Sequence, residues 1–286
     1  MCCRLARTLA ARDVSRMTIA TPPGPDVEQP LSPDLAPDVE ARKAAEGTDK
    51  RNYVQGIFSD IAPRYDLLNH LLSMNVDKGW RRRALTALQW ARTPTGRFLD
   101  LCAGTLDVGA ALTRQRGFAG FVVGADFALP MLLHGAGKAS PKVLAPVAAD
   151  AMQLPMADAS MDGAIVAFGI RNVADLDAGL REVRRVLRPG GRFVILEFST
   201  PSSAIVRTLY HAYFHHVLPL VGRMVSGHKS AYTYLPLSVA QFPTGGKLAA
   251  RMTAAGFVEV TWQALTFGVA AIHVGVAGAT GGAARA

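Results

Sequence analysis

Apolar positions change period along the chain. From about Lys50, Val54, Ile57, Phe58 and Ile61, then Leu67, Leu68, Leu71 and Leu72, recur three and four residues apart, predicting two short amphipathic helices broken at Pro63. From Arg97 the texture becomes short apolar runs, at residues 98–102, 121–125, 143–148, 163–168 and 192–198, separated by helical segments. That alternation predicts parallel strands joined by crossover helices, an α/β doubly wound sheet. A helix over 176–187 is expected to end at Arg188-Pro-Gly-Gly191, where the chain turns into the fifth strand. Near the C-terminus, residues 257–264 and 269–276 read as two further strands. Only Leu265-Thr-Phe-Gly268 separates them, too little for a crossover, so they should form an antiparallel hairpin.

The first 49 residues break this pattern: Pro22, Pro23, Pro25, Pro30, Pro33 and Pro37 stand among few large apolar side chains. They are expected to be a disordered extension ahead of a domain spanning 50–286, whose tail from Gly278 frays. Arg4, Arg7, Arg12 and Arg16 read either as an organelle-targeting presequence or as residues upstream of a true start at Met17, and the second reading is preferred. With 50% hydrophobic and 19% charged residues, the chain as a whole is neither disordered nor fibrous. A formal charge of +9 favours anionic partners without choosing between lipid and nucleic acid. Three cysteines, with Cys2 and Cys3 adjacent, make no disulfide framework and point to a reducing compartment. No uncharged apolar run is long enough to span a bilayer.

Candidate chemistry begins where the first strand ends. Asp100-Leu-Cys-Ala-Gly-Thr-Leu-Asp107 runs straight into a helix starting near Val108, and so small a turn lets a ligand approach the backbone at an electropositive helix N-terminus. The second strand ends at Gly124-Ala-Asp126, where an acid can hydrogen-bond ribose hydroxyls. Either motif alone reads as an ordinary strand-turn-helix with a capping aspartate. Together they predict a nucleoside-containing cofactor. A nicotinamide cofactor is disfavoured, because the turn holds only Gly104 and Gly109 already falls within the helix.

Longer motifs narrow the reading. Arg64-Tyr-Asp-Leu-Leu-Asn69 is followed by Leu72-Ser73 and Trp80, and Arg185-Val-Leu-Arg-Pro-Gly-Gly191 continues to Glu197-Phe-Ser199. Phe168-Gly-Ile-Arg-Asn-Val173, Tyr232-Thr-Tyr-Leu235, Ser238 and Phe242-Pro243 complete the set. On these motifs, over nearly all of residues 50–276, the chain resembles the quinone-ring C-methyltransferases of menaquinone and ubiquinone biosynthesis, within the class I S-adenosylmethionine-dependent methyltransferases. Asp77 replaces the family's usual histidine in the first motif.

The resemblance implies a seven-stranded, mainly parallel, Rossmann-like sheet with a C-terminal antiparallel hairpin and an N-terminal helical lid. It implies S-adenosyl-L-methionine as cofactor, with Asp100, Gly104 and Thr105 in the turn, Asp126 on the ribose, and Asp150 with Ala151 near the adenine. Ala167 stands where a family serine contacts the cofactor, and Leu106 stands where many members have glycine and would crowd the methionine part. The implied reaction is C-methylation of a prenylated quinol. The Cys-x-Gly-Thr turn leans towards demethylmenaquinol going to menaquinol, with a polyprenyl-methoxy-benzoquinol of ubiquinone biosynthesis as the alternative.

Such a reaction needs an activated ring carbon and no protein nucleophile. Arg171 and Asn172, just beyond the fourth strand, are expected to stabilise the phenolate or orient a water that takes its proton. Tyr65 and Asp66 are assigned to substrate positioning, with an aromatic anchor and a helix cap as their plain structural alternatives. Cys102 reads as a small packed residue rather than a nucleophile. His211, His215 and His216 lie at helical spacing with no acid or cysteine to complete a metal site, so no metal is expected. Nearby apolar residues from Val206 to Leu218 suit either a prenyl-tail channel or core packing.

A nucleic-acid methyltransferase would need a basic surface interleaved with aromatics. Arg81-Arg82-Arg83 is one short cluster, so no nucleic-acid partner is expected, whereas an anionic membrane surface suits it equally well. A non-catalytic cofactor-binding protein is the remaining alternative, raised by Leu106 and Ala167 and opposed by Thr105, Asp126, Arg171 and Asn172. The expected partners are thus a prenylated quinol, a peripheral contact with an anionic membrane and a second copy in a homodimer. The expected location is the bacterial cytoplasm at the inner face of the membrane, or the mitochondrial matrix in a eukaryote.

Overall fold

The computed structural model describes residues 50–61, 75–201, 206, 208 and 229–279. The proline-rich extension, the second N-terminal helix with Tyr65 and Asp66, the histidines at 211–216 and the tail from 280 lie outside the described residues.

Helices α1 (Lys50–Ile61) and α2 (Val76–Ala87) precede the sheet. Strand β1 (Arg97–Leu101), α3 (Asp107–Thr113), β2 (Phe121–Asp126), α4 (Leu129–Gly135), β3 (Leu144–Ala148) and β4 (Met161–Ala167) follow. Next come α5 (Leu176–Val186), β5 (Leu187–Phe198), α6 (Lys229–Gln241), α7 (Gly245–Ala254), β6 (Phe257–Leu265) and β7 (Ala270–Ala277). The seven strands form one sheet in the order β3-β2-β1-β4-β5-β7-β6. The first five are parallel, and β7 runs antiparallel to both β5 and β6. This is the doubly wound sheet and terminal hairpin that the alternation of apolar runs predicts.

Because successive strand residues point to opposite faces, the sheet carries two cores. Phe98, Ile165, Val194 and Leu196 pack with Leu85 of α2 and with Val108 and Leu112 of α3. Leu99, Leu101, Val166, Phe193 and Ile195 pack on the other face with Leu180 and Val183 of α5 and with Leu248 and Met252 of α7. Burial on both faces explains why these strands read as unbroken apolar runs instead of alternating ones.

Helix α5 starts where Asp175 accepts a hydrogen bond from the Ala178 amide at 3.0 Å, and Arg184 and Arg185 complement the dipole at its end. Arg185 also pairs with Glu182 and Asp158 and donates to the carbonyls of Leu154 and Met156, so this motif arginine is a structural brace. One boundary departs from expectation. Strand β5 begins at Leu187, not 192, because Leu187 already pairs with Met161. Arg188-Pro-Gly-Gly191 is therefore a bulged stretch inside the strand, with a register shift opposite it and Gly190 at φ 82°, rather than a turn leading into it.

Leu106 takes a backbone conformation usual for glycine. Its φ of 65° lies in the left-handed region, which explains why glycine suits this position. The side chain is 2% exposed and packs into the core, lining neither cavity of the site described below. Two glycines make room for it on the core side. A Cβ on Gly124 would lie 2.3 Å from Leu106 Cδ2, and one on Gly135 would lie 3.0 Å from Leu106 Cγ. Gly124→Ala should accordingly destabilise the chain in urea unfolding by about 1–3 kcal/mol, the usual cost of overpacking. In a Leu106→Ala background that cost should shrink by about 1 kcal/mol or more. Equal costs in both backgrounds would show that Leu106 does not occupy this space.

Candidate active site

Strands β1, β2 and β4 are parallel and end at the same edge of the sheet, where open α/β folds place their ligands. After β1 the chain curls sharply, with Cys102, Gly104 and Leu106 at φ 51°, 52° and 65°. Two carboxylates hold this curl. Asp126, at the end of β2, accepts the Gly104 amide on one oxygen and the Ala128 amide on the other, both at 2.8 Å. Asp100 accepts the Gly109 amide in the first turn of α3 at 2.7 Å. Burial pushes the Asp100 carboxyl up to about 7, against the pull of that amide. Burial also raises Asp126, with the Ala128 and Gly104 amides opposing it. Beyond β3, Asp150 accepts the Met152 amide at 2.9 Å.

The turns border a pocket open to solvent. Gly104, Asp126, Asp150, Ala151 and Asn172 line it. A smaller adjoining cavity is lined by Asp100, Gly104, Thr105, Ala167 and Arg81. All seven residues assigned to the cofactor from sequence thus converge on these two spaces. Cys102 lines both, and burial pushes its thiol well above the ordinary range, which keeps it protonated and fits the packed role.

Arg81 corrects the expectation of a single outward basic cluster. It turns inward while Arg82 and Arg83 stay exposed. Asp77, four residues earlier and buried, holds Arg81 Nε at 3.3 Å, and the guanidinium carbon stands 5.5 Å from the centre of the Phe168 ring. The aspartate that replaces the family histidine therefore aims an arginine at the small cavity.

Beyond β4, Phe168 also has a positive φ, 62°, and the chain then makes a short 3₁₀ turn, Ile170–Asn172. Arg171 Nη1 donates to Glu197 Oε1 at 2.7 Å and to the Phe168 carbonyl at 2.6 Å. The other Glu197 oxygen accepts the Arg171 amide at 3.3 Å. Side-chain exposures of 7% for Arg171 and 2% for Glu197 make this a buried ion pair, and the Phe198 ring lies 5.5 Å from the guanidinium carbon. Arg171 is not among the residues lining this pocket, whereas its neighbours Gly169, Asn172 and Val173 are.

Asn172 does line the pocket, and its Oδ1 accepts the Tyr234 hydroxyl at 3.2 Å. Burial pushes that hydroxyl up to about 12, so Tyr234 remains a donor at neutral pH. From α1, Lys50 Nζ donates to the carbonyls of Arg171 at 2.7 Å and Val173 at 3.1 Å, clamping the turn from above. Burial first, then the Arg171 charge, brings its ammonium down to about 8, with Glu197 opposing.

Of the four residues assigned to catalysis, Arg171 and Asn172 meet at the site, and Tyr65 and Asp66 lie outside the described residues. Four contributors were not read from the sequence as site residues: Lys50, Arg81, Glu197 and Tyr234. Glu197 and Tyr234 lie within the quoted motifs, and Arg81 stands four residues after Asp77, a spacing that signals an ion pair on one helix face. Lys50 carries no local signal, because its partners lie more than a hundred residues away.

Comparison with known proteins follows the same lines. The model of the ubiE/COQ5 methyltransferase family matches residues 46–277. A demethylmenaquinone methyltransferase of Thermus thermophilus is 49% identical, over 77% of this chain and 99% of its own length. A protein of the same name in Deinococcus radiodurans is 48% identical over 79% and 93%. A ubiquinone/menaquinone biosynthesis C-methyltransferase of Geobacter sulfurreducens is 43% identical over 81% and 91%. Among solved structures, a SAM-dependent methyltransferase of Thermotoga maritima superimposes with a TM-score of 0.54 at 17% identity, covering 78% of this chain and 98% of its own. The [4+2]-cyclase SpnF gives 0.57 at 16%, covering 79% and 96%, so the fold alone does not select the reaction. The family match and the identities do: this chain belongs to the ubiE/COQ5 methyltransferase family.

Proposed function

We propose that the protein transfers a methyl group from S-adenosylmethionine to a ring carbon of demethylmenaquinol, yielding menaquinol. The observation that carries this reading is one pocket walled on one side by Asp126 and Asp150 and on the other by Asn172, in a chain 49% identical to a demethylmenaquinone methyltransferase across that relative's length. The identity to a ubiquinone/menaquinone C-methyltransferase keeps a methoxy-benzoquinol as the second reading.

The donor set fits the cofactor. Asp126 accepts the backbone amides of Gly104, Ala128 and Phe127, which leaves acceptor capacity for ribose hydroxyls. Asp150 and Ala151 border the adenine end. Thr105 and Ala167 would border the methionine end, where Arg81, which lines the same cavity, would hold the carboxylate with its planar guanidinium. When bound, the cofactor supplies an electrophilic sulfonium methyl.

The chain's own contribution is placement and charge. Asn172, whose oxygen is taken by Tyr234, offers its amide N–H to the acceptor's hydroxyl oxygen. Arg171 and Lys50 lie just behind and favour the ionised phenol, which makes the neighbouring ring carbon a better nucleophile; each unit of phenol pKa corresponds to about 1.4 kcal/mol. The bound cofactor would supply the methyl group to that carbon, and the proton the carbon then carries would pass to water at the pocket mouth, restoring the aromatic ring. Orientation of the two partners supplies the remainder.

Incubating the protein with methyl-labelled cofactor and each reduced quinone tests the substrate. Label should enter the naphthoquinol, and exclusive labelling of the benzoquinol would select the second reading. Arg81→Met tests the cofactor pose by calorimetry. Its affinity for S-adenosylhomocysteine should fall about tenfold or more, the usual weight of a charge-assisted bond, while affinity for methylthioadenosine, which lacks the carboxylate, should not change. Equal losses for both ligands would place the carboxylate elsewhere.

A further inference from the structure

Four side chains run in a line between the two halves of the site. Arg81, on the wall of the small cavity, sets its guanidinium carbon 5.5 Å from the centre of the Phe168 ring. Phe168 lies 4.7 Å, centre to centre, from Phe198, and the Arg171 guanidinium carbon stands 5.5 Å from the Phe198 ring. Two touching aromatic rings are thus flanked by two cations, an arrangement that the negative faces of the rings favour. Trp80 of α2 packs against both rings, at 6.1 Å and 6.4 Å, and its indole nitrogen donates to Thr266 Oγ1 at 2.9 Å, which anchors the line to the β6–β7 connection.

Phe168 is the link that both arginines hold. Arg81 lies over its ring, and Arg171 Nη1 donates to its carbonyl at 2.6 Å. Its φ of 62° is a conformation that a bulky residue keeps only where its surroundings enforce it. Loosening at the ring therefore reaches the 3₁₀ turn that starts at Ile170 and carries Asn172 to the large pocket. At the other end of the line, Arg81 Nε is buried without a hydrogen-bond partner, although Asp77 stands at an ion-pair distance of 3.3 Å. A carboxylate arriving in the small cavity would give this guanidinium the bonds that fix it.

We infer that Phe168 and Phe198 are positioning residues through which a donor carboxylate held at Arg81 tightens the acceptor side, so that the quinol binds well only beside its methyl donor. Both ligands are those of the reading above, on which this inference rests. With the small cavity filled, Arg81 stays over Phe168, the strained residue is held from ring and carbonyl alike, and the turn bearing Asn172 is ordered before the acceptor enters. The acceptor then meets a wall that needs no further ordering, which raises its affinity. Linkage makes the effect mutual: the acceptor raises affinity for the donor by the same factor. A donor fragment without the carboxylate leaves Arg81 unfixed and loses the coupling.

The test reads that factor by calorimetry on the full chain, titrating S-adenosylhomocysteine or methylthioadenosine with and without a short-tailed, water-soluble naphthoquinol kept reduced. In wild type the quinol should raise affinity for S-adenosylhomocysteine about fivefold or more, and for methylthioadenosine less than about twofold. Phe198 lines neither cavity. Phe198→Leu should therefore bind S-adenosylhomocysteine alone within about twofold of wild type, which shows that it folds, while its gain with quinol should drop below about twofold. Phe198→Tyr, which keeps the ring, should retain the wild-type gain. The first comparison isolates the carboxylate, and the variants separate the rings from direct contact between the ligands. Equal gains for the two ligands in wild type, no gain for either, an undiminished gain in Phe198→Leu, or a gain lost as fully in Phe198→Tyr overturns the inference. Should Phe198→Leu fail to bind either ligand, the wild-type comparison still decides. Methyl-labelled cofactor run in parallel separates the coupling from the reaction: label entering the quinol with no affinity gain removes the inference alone, whereas S-adenosylhomocysteine binding with no label entering either quinol removes the proposed reaction and the inference with it.

Discussion

The buried ion pair between Arg171 and Glu197 is the interaction on which the pocket wall at Asn172 depends. Removing either charge would leave the other stranded in the interior, a loss of about 3–5 kcal/mol in comparable pairs. One guanidinium nitrogen grips both the Glu197 carboxylate and the Phe168 carbonyl, so the pair fastens the strained Phe168 to the end of β5. That fastening sets the 3₁₀ turn, and the turn puts Asn172 on the pocket wall while keeping Arg171 behind it. Lys50 and Tyr234 lock the same turn from α1 and α6. The turn is thus held by a fixed scaffold of buried groups rather than by mobile side chains.

The cofactor side follows the same rule with different parts. Asp100 and Asp126 spend their first hydrogen bonds on backbone amides, Gly109 for one and Gly104 and Ala128 for the other. They shape the curl before any ligand arrives. Leu106 shows what the curl tolerates: a branched side chain in a glycine conformation, accommodated because Gly124 and Gly135 leave space on the core side. Departures from a family pattern are compensated at neighbours in space, here a glycine on β2 and another on α4.

Local patterning made much of this legible. Apolar runs marked the five parallel strands and the hairpin, since burial on both faces removes polar positions from a strand. The turn after β1 and the acid after β2 marked the cofactor side, because both lie at strand ends that sequence can locate. Less visible were interactions closing over long stretches of chain. Glu197 reads as one more residue of an apolar strand until β4 and β5 are paired, and Lys50 reads as a solvated helix start until α1 is laid over residues 171–173. The Arg188-Pro-Gly-Gly191 stretch misled for a different reason: its composition is that of a turn, but pairing of Leu187 with Met161 draws it into β5 as a bulge. The three consecutive arginines of α2 look alike in sequence, and only helical geometry with Asp77 separates the inward one from its neighbours.

Hydrogen exchange on wild type and Glu197→Gln, which keeps the shape and removes the charge, tests the role of the buried pair most directly. Loss of the anion should speed exchange at the amides of Arg171, Asn172 and Val173 and leave those of β1 and β2 unchanged. Unaltered protection at those three amides would mean that the turn stands without the ion pair, and would contradict the account of how the acceptor side is held.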